Sequence, residues 1–324
     1  MCTAISLALG NHYFGRNLDY EHTFGEQVTI TPRNFVFRFK NGTEIKHHPA
    51  MIGMALTFQS YPLYFDATNE KGLSMAGLNF PDYAQYYGAI PGKDNVASFE
   101  LIPWILCRCS TTADAEQLLR NVNITDDAIS ASLPPTPLHW IVADKDKAIT
   151  VEQTRQGITV HENPVGVLTN NPPFDMQMIN LSNYMQATSR EPENKLSHRI
   201  TLVPYSRGMG GMGIPGDLSS MSRFVKACFT KLNSVCSDAR EEQINQFFHA
   251  LYSVYQQKGC VVVGDSYEIT NYSSCCDTEK GIYYYTTYNN STIRGVDMHK
   301  ENLESDALVT LKLPEIAKFP IQND

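Results

Sequence analysis

The 324-residue sequence lacks the features of a membrane protein or a nucleic-acid-binding protein. No stretch approaches the roughly 18 to 20 apolar residues that a membrane-spanning helix needs. No cluster of lysine and arginine offers a surface for phosphates, and the formal charge is −8. The first residues have neither the basic flank nor the long apolar stretch of a secretory signal. We therefore expect a cytoplasmic protein with no nucleic-acid or membrane partner.

Paired cysteine and histidine motifs of metal sites are also missing, although the chain has eight cysteines. Cys107 and Cys109 are too close in sequence for a usual zinc knuckle, and Cys275 and Cys276 are adjacent. In a long chain without an export signal, cysteines are usually reduced. We expect no metal site, and we expect buried, unreactive thiols at every cysteine except Cys2.

The motifs of several enzyme classes are absent too. No papain-type sequence surrounds any cysteine, and there is no G-x-S-x-G elbow. The glycine-rich segment 207–217 lacks the Lys-Ser/Thr ending of a phosphate loop and the strand–helix setting of a dinucleotide site. We expect this segment to be a flexible or tightly turned loop. His47, His48 and His161 have no partners at metal-ligand spacing and are expected to be structural.

Alternation of apolar and polar residues predicts several strands. Ile5, Leu7 and Leu9 alternate with smaller residues before Gly10-Asn11, which predicts a β-hairpin at the very start of the chain. Further strands are predicted at 28–30, 35–39, 149–151, 158–160, 267–269 and 282–287. Helices are predicted over 99–107, 113–122, 221–232 and 241–256, with a capping box at Thr111 and Asp114 and N-cap residues at Ser219-Ser220.

The order of these elements favours an α+β protein. The helices fall in two separate blocks, and strands and helices do not alternate regularly. This disfavours a doubly wound parallel sheet and favours antiparallel sheets covered by helices. No repeat, low-complexity tract or linker divides the chain, so we expect one domain over residues 1–324.

Cys2 is the residue with the most distinctive chemistry. Methionine aminopeptidase removes Met1 when the second residue is small, and this would expose the Cys2 α-amine. That amine, with an ordinary pKa of about 7.7 to 8.0, can act as base for the thiol and then protonate a leaving amine. Arg16 and Asp19 lie on the predicted returning strand, where Arg16 could lower the thiol pKa and Asp19 could hold the ammonium. The alternative is that the second residue is small by chance, and that Arg16 and Asp19 form a weak ion pair on the surface.

Several motifs, in order, resemble those of the choloylglycine hydrolases, which include bile salt hydrolases and penicillin V acylases of the N-terminal-nucleophile superfamily. The resemblance runs from residue 1 to about 295 and is strongest to bile salt hydrolases of Gram-positive gut bacteria. It implies a four-layer αββα sandwich, no cofactor and a homotetramer. The motifs are Met1-Cys2-Thr3 and those within 13–19, 69–73, 76–80, 168–172, 213–217 and 222–224.

The resemblance also implies roles for particular residues. Cys2 would be nucleophile and base, while Asn79 through its backbone N–H and Asn170 through its side chain would stabilise the oxyanion. Asn170 fits this role better than Asn171, because family members vary at the second position. The full implied catalytic set is Cys2, Arg16, Asp19, Asn79, Asn170 and Arg223.

Three loops, at 18–24, 58–65 and 129–138, correspond to substrate loops of that family. Their apolar residues would suit a steroid body. The predicted substrate contacts are Leu18, Tyr20, Phe24, Phe58, Phe65, Leu133 and Leu138. The predicted reaction is cleavage of the glycine or taurine amide of conjugated bile salts. Two alternatives stay open: a penicillin V acylase, and a non-catalytic scaffold that binds bile salts or lipids.

Overall fold

Two antiparallel β-sheets lie face to face and carry helices on their outer sides. The computed structural model describes residues 1–131, 133–314, 317 and 319–323. Its strands are Cys2–Leu9 (β1), Asn11–Tyr20 (β2), Gln27–Thr31 (β3), Phe37–Arg38 (β4), Glu44–Ile45 (β5), Met51–Phe58 (β6), Tyr61–Asn69 (β7), Ser74–Asn79 (β8), Asp94–Ala97 (β9), Val122–Thr125 (β10), Leu138–Ala143 (β11), Ala148–Thr154 (β12), Gly157–Glu162 (β13), Val167–Leu168 (β14), Val262–Val263 (β15), Ser266–Tyr267 (β16), Ile269–Asp277 (β17), Ile282–Thr287 (β18), Asn290–Asp297 (β19) and Val309–Lys312 (β20). The α-helices are Leu101–Leu106 (α1), Thr112–Leu119 (α2), Phe174–Leu181 (α3), Ser220–Leu232 (α4) and Arg240–Tyr252 (α5).

The sheets form the two inner layers of the fold. One has six strands in the order β14-β1-β2-β17-β18-β19, and the other has eight in the order β13-β12-β11-β8-β7-β6-β3-β20. Strands β1 and β2 contact β7 and β8 of the facing sheet. Helices α4 and α5 cover the six-stranded sheet, whereas α1 and α2 cover the eight-stranded sheet. The result is the predicted α+β sandwich with four layers, αββα.

Two apolar cores follow from this layering. The larger core joins both sheets to α4 and α5, and includes Phe14, Leu78 and Phe247. The smaller core lies between the eight-stranded sheet and helices α1 and α2, and includes Trp104 and Trp140. Within the residues that the structure describes, no helix is long and apolar enough to cross a membrane.

The predicted hairpin at the start of the chain is confirmed, with β1 pairing with β2 across Gly10. Gly10 has φ of +91°, a left-handed conformation that glycine adopts without strain. Strand β2 also pairs with β17, and Gly15 makes this approach possible. A Cβ at Gly15 would lie 1.9 Å from the main-chain oxygen of Ser274. The hairpin is thereby placed in the middle of its sheet, where the chain terminus is held rigidly.

Other predicted elements differ at their ends. The helix predicted over 113–122 ends at Leu119, because the chain then enters β10, which pairs in parallel with β9. The strand predicted over 35–39 is only Phe37–Arg38, although it forms a hairpin with β5 across Asn41-Gly42. The helix predicted to reach Gln256 ends at Tyr252. The glycine-rich segment is tightly turned, with a short 3-10 helix at Met209–Gly211.

Candidate active site

Cys2 begins β1 and lies opposite Leu18 of β2, with its side chain 4% exposed. Strand β14 pairs with the other edge of β1, with Ala4 opposite Leu168. Continuing this antiparallel register by two residues brings Asn170 opposite Cys2. Cys2 is therefore held between two neighbouring chain segments rather than left as a frayed terminus.

Asn170 links Cys2 to the facing sheet. Its side-chain Oδ1 accepts a hydrogen bond from the Cys2 main-chain N–H at 2.8 Å, and its Nδ2 donates to the main-chain oxygen of Asn79 at 2.7 Å. Asn79 is the last residue of β8 in the eight-stranded sheet. The Asn170 backbone is itself held, because its N–H donates to Ser220 Oγ and its oxygen accepts from Gln177.

The N–H of Asn79 is available to a ligand. The Phe80 N–H donates to the oxygen of Pro137, so Asn79 and Leu138 form a non-hydrogen-bonded pair between β8 and β11. The Asn79 N–H consequently points to the other edge of β8. There, pairing with β7 reaches only as far as Ala76. Asn79 and Asn170 thus present a backbone donor and an amide donor within one hydrogen-bonded unit.

Arg223 lies on α4 and is fully buried against the start of β1. Its Nη1 donates to the Cys2 oxygen at 2.5 Å and to Thr3 Oγ1 at 2.7 Å, and its Nη2 donates to Asn170 Oδ1 at 2.8 Å. Its guanidinium therefore contacts the backbone of Cys2 and the side chain of Asn170. Asp217 fixes the beginning of this helix, since it accepts hydrogen bonds from the Ser219 N–H and from Ser222 Oγ.

Arg16 is also fully buried and lies between the two sheets. Its Nη1 donates to the main-chain oxygens of Phe65 at 2.9 Å and Gly77 at 2.6 Å. The β6–β7 register shifts between Met54 and Ala55, so that Phe65 is an extra residue of β7. Burial by itself lowers the pKa of Arg16, but the negative charge of a Cys2 thiolate and other neighbours raise it above its ordinary value. The guanidinium and a thiolate on Cys2 therefore attract each other.

Asp19 lies one residue beyond the partner of Cys2 on β2. Its carboxylate accepts a hydrogen bond from Thr270 Oγ1 at 2.6 Å and lies 3.8 Å from Arg223 Nη1. Burial raises the pKa of Asp19, and the charge of Arg223 opposes this effect. In the chain with Met1 present, the Met1 ammonium donates to the Asp19 main-chain oxygen at 2.6 Å and lies 2.8 Å from a carboxylate oxygen of Glu268.

The structure links Cys2, Asp19, Asn79, Asn170 and Arg223 through hydrogen bonds and an ion pair, and it places Arg16 where its charge acts on a Cys2 thiolate. The residues that carry a thiol, a backbone N–H and a side-chain amide are joined where the two sheets meet, and two buried arginines lie beside them. Such a set suits nucleophilic attack on a carbonyl and stabilisation of the resulting oxyanion. Within the described residues, no group of histidine, cysteine and acidic side chains is arranged to hold a metal ion.

Comparison with known proteins identifies the family of this chain. A family model described as linear amide C–N hydrolases, choloylglycine hydrolase family, matches residues 2–311. The chain belongs to the choloylglycine hydrolase family. Membership makes the chain an amidohydrolase of the linear-amide class.

Its relatives are similar over their full length. The bile salt hydrolase/transferase of Lactiplantibacillus plantarum is 49% identical, and the alignment covers 98% of this chain and 99% of the relative. The bile salt hydrolase/transferase of Clostridium perfringens is 39% identical, with 96% and 97% covered. The crystal structure of a cysteine-to-alanine variant of the conjugated bile acid hydrolase from Clostridium perfringens is similar with a TM-score of 0.91, at 38% identity and full coverage of both chains.

A penicillin V acylase from Agrobacterium tumefaciens shares the fold but little sequence. Its TM-score is 0.76 and its identity 18%, over 96% of this chain and 91% of that one. Together with the layered sheets, these similarities confirm the predicted sandwich of the N-terminal-nucleophile hydrolase type.

The predicted substrate contacts fall into two groups, of which the first lies beside the site. Tyr20, Phe24 and Phe65 form a continuous aromatic row, with ring centroids 4.8 and 5.5 Å apart, and the main chain of Phe65 contacts Arg16. Leu18 and Leu138 lie directly opposite Cys2 and Asn79 in their ladders, with Leu18 almost fully buried.

Phe58 and Leu133 belong to the second group. Phe58 lines a cavity of about 220 Å³ together with Ile129, and Ile129 is hydrogen-bonded to Leu133. The structure connects neither Phe58 nor Leu133 to Cys2 by a described contact. Ser132, in the same loop, lies outside the described residues. Contact of either group with substrate stays a prediction.

Several residues that support the site were not found by sequence reasoning. Thr270 and Gln256 contact the Asp19 carboxylate, and Gln177 and Ser220 hold the backbone of Asn170. Thr270 is 251 positions from Asp19 along the chain. A buried threonine or glutamine with so distant a partner leaves no local pattern that could identify it.

Proposed function

We propose that this chain hydrolyses the amide bond of glycine- or taurine-conjugated bile salts, with Cys2 as the nucleophile after removal of Met1. The observation that carries the proposal is the bridge from the Cys2 nitrogen through Asn170 to Asn79, which joins nucleophile and oxyanion donors. Relatives at 35% to 49% identity are named as bile salt hydrolases or conjugated bile acid hydrolases.

In the proposed reaction, the Cys2 α-amine takes the thiol proton and the thiolate attacks the amide carbonyl carbon. The oxyanion accepts hydrogen bonds from the Asn79 N–H and from Asn170 Nδ2. The Cys2 ammonium then protonates the leaving nitrogen, so that the C–N bond breaks and a thioester remains. Water, deprotonated by the same amine, attacks the thioester and releases the bile acid. Arg16 stabilises the thiolate, and Asp19 orients the amine through the surrounding network.

The aromatic row of Tyr20, Phe24 and Phe65 supports a steroid substrate over penicillin V. A steroid nucleus buries more apolar area than a phenoxymethyl group, and an extra ~100 Å² is worth about 2.5 kcal/mol. This corresponds to a factor between ten and a hundred in affinity, from which ordering of the loops subtracts. The penicillin V acylase similarity, at 18% identity, concerns the fold alone.

The test is release of glycine or taurine from a panel of conjugated bile salts, measured beside penicillin V hydrolysis. We expect kcat/KM for glycocholate or taurocholate to exceed that for penicillin V at least tenfold. Equal or reversed ratios would identify an acylase instead. Binding of bile salt without turnover by the wild type, and equally by a Cys2→Ala variant, would identify a non-catalytic scaffold.

We also propose that the protein is a cytoplasmic homotetramer. All eight cysteines are free thiols, which suits a reducing compartment, although Cys260 is exposed and Cys236 half-buried, contrary to the expected burial. The segment following α3 carries exposed apolar side chains at Met185, Leu196, Val203 and Tyr205, each at least 76% exposed. Association with other copies of the chain would cover them. Light scattering coupled to size-exclusion chromatography tests this assembly, and a monomer would contradict it.

A further inference from the structure

A buried histidine and a buried glutamate form a hydrogen-bonded pair behind the proposed oxyanion residues. His139 lies on β11 and Glu152 on the adjacent β12, and neither side chain is more than 2% exposed. His139 Nδ1 is 3.1 Å from Glu152 Oε1, and His139 Nε2 is 2.8 Å from the main-chain oxygen of Thr169. Neither Phe80 nor Cys2 takes part in this chain of hydrogen bonds.

The chemistry of these partners determines where the imidazole of His139 carries hydrogen. The oxygen of Thr169 can only accept a hydrogen bond, as can an ionised carboxylate. Burial by itself raises the pKa of Glu152, but the hydrogen bond from His139, the nearby His161 and the hydrogen bond from the Phe174 N–H lower it to about 2. Glu152 is therefore ionised, and His139 Nε2 carries the hydrogen that the oxygen of Thr169 accepts.

His139 touches the immediate neighbours of both oxyanion residues. Thr169, which accepts from Nε2, directly precedes Asn170. The ring of Phe80, which directly follows Asn79, stacks on the imidazole with centroids 4.2 Å apart and planes 6° apart. One rigid side chain thus separates the two backbone segments that carry the oxyanion donors.

Glu152 secures the second end of the Asn170 segment. The same Oε1 that accepts from His139 also accepts the Phe174 N–H at 3.0 Å, where α3 begins. The segment 169–174 is therefore held at Thr169 through His139 and at Phe174 by Glu152 directly. His161, 25% exposed, approaches the other carboxylate oxygen at 3.6 Å.

We propose that His139, held by Glu152, is a positioning residue that sets the distance between the Asn79 N–H and Asn170 Nδ2. This inference rests on the proposed function, in which these two groups bind the oxyanion. Donors of this kind act only when they are held at hydrogen-bond distance from the developing charge, and displacements of about 1 Å cost up to 10²-fold in rate. His139 does not contact the reacting atoms in this scheme.

Two substitutions separate the two contacts of the imidazole. The side-chain nitrogen of glutamine falls near the position of Nε2, so His139→Gln retains a donor to Thr169. The side-chain nitrogen of asparagine falls near Nδ1, so His139→Asn retains a donor to Glu152 but loses the contact with the Asn170 segment. Glu152→Gln removes the charge and weakens both anchors of segment 169–174.

We expect His139→Asn to lower kcat for glycocholate by about 10- to 100-fold, with KM changed less than about threefold. His139→Gln should retain more activity than His139→Asn, even where its melting temperature is no higher. Alkylation of Cys2 by iodoacetamide should proceed at the wild-type rate in both variants, because the thiol is untouched. Glu152→Gln should resemble His139→Asn and provides the test if that variant does not fold.

His48 offers a matched control. It is 7% exposed, and its ring nitrogens contact the main-chain oxygens of Pro49 and Phe35, outside the active site. His48→Asn and His48→Gln should lower the melting temperature without changing kcat.

The outcomes of this experiment are distinct. A wild-type protein without bile salt hydrolysis contradicts the proposed function. An active wild type whose His139 variants lose activity only in proportion to stability, as the His48 variants would, overturns the positioning role. Equal kcat in His139→Asn and His139→Gln, or a changed rate of Cys2 alkylation, would also overturn it.

Discussion

Substitution of Asn170 by alanine removes the side chain that joins the nucleophile to the facing sheet. Three hydrogen bonds disappear: those from the Cys2 N–H and Arg223 Nη2 to Oδ1, and that from Nδ2 to the Asn79 oxygen. The side-chain Nδ2 has two hydrogens, and its bond to Asn79 uses one. The second is the one that we expect to meet the oxyanion, so alanine abolishes that donor.

The magnitude follows from the two roles of this side chain. Loss of one oxyanion donor typically lowers kcat by about 10² to 10³, or about 2.7 to 4 kcal/mol of transition-state stabilisation. The folded protein also loses stability, because a buried group such as Arg223 Nη2 is left without its Asn170 partner. That cost is about 1 to 3 kcal/mol. We therefore expect a folded but less stable protein whose kcat falls much more than its KM rises.

The assay compares Asn170→Ala, Asn170→Asp and Asn171→Ala in glycocholate hydrolysis and urea unfolding. Asn170→Asp keeps oxygen acceptors for Cys2 and Arg223 but replaces the donor to Asn79 with a second oxygen, so its kcat should be at least as low. Asn171 is the matched control, since its Nδ2 donates to the Pro81 oxygen and, among the described residues, to no group of the active site. Its alanine variant should stay within about threefold of wild-type kcat.

The reasoning is refuted if Asn170→Ala retains kcat within a few-fold of the wild type. It is equally refuted if Asn171→Ala is the more damaging substitution, because the oxyanion donor would then be the neighbouring asparagine. A fall in kcat that only matches the fraction of unfolded protein would show that Asn170 is structural.

Three further outcomes are expected. The intact mass of the purified protein should correspond to loss of Met1. A folded variant with a non-removable residue ahead of Cys2 should lose at least about 10² in kcat, because a peptide bond then occupies the Cys2 α-amine. Full activity of that variant would refute the mechanism. Iodoacetamide should inactivate the wild type and, equally, a variant in which serine replaces the exposed Cys260. Burial raises the pKa of Cys276 to about 12, so this thiol should not react. Protection of activity by the Cys260→Ser change would show that Cys260, not Cys2, is the reactive thiol. Burial also lowers the pKa of His12 to about 4 from 6.5, so the folded state binds its proton less readily than the unfolded state. The neutral His12 therefore contributes about 3 kcal/mol to the free energy of unfolding. This contribution is fully present above pH 6.5 and should be lost as the pH falls from 6.5 to 4. His12→Asn should flatten this dependence in urea unfolding, and an unchanged slope would contradict it.

The start of the chain could be predicted in detail from its residues. Ile5, Leu7 and Leu9 alternate, and Gly10 offers a turn, so local periodicity was sufficient for the hairpin. The proposal of Cys2 as the nucleophile followed from the chemistry of a cysteine at position 2. Motif resemblance then supplied the six proposed catalytic residues, five of which the structure links by hydrogen bonds or an ion pair.

Strands with buried polar residues on both faces could not be predicted in this way. Strand β17 carries Thr270, Ser273, Ser274 and Cys275, all fully buried, and shows no alternation of apolar and polar residues. The side chains of this strand are polar because they bind Asp19, Asn17 and Asp66 on strands β2 and β7, not because they face water. Alternation of apolar and polar residues predicts a strand only when one face is buried and the other faces solvent. In β17 the polar residues are themselves buried, so no alternation appears.

Only the tertiary structure decided how the site is held together. Asn170 reaches Cys2 because β14 pairs with β1, a register that spans more than 160 residues. In the sequence, His139 and Glu152 look like ordinary polar residues. Only the packing of β11 and β12 places them behind Asn79 and Asn170. The sequence determined which groups can react, because reactivity belongs to a side chain and its neighbours in the chain. The fold alone determined their distances, because those depend on contacts between segments that share no local pattern.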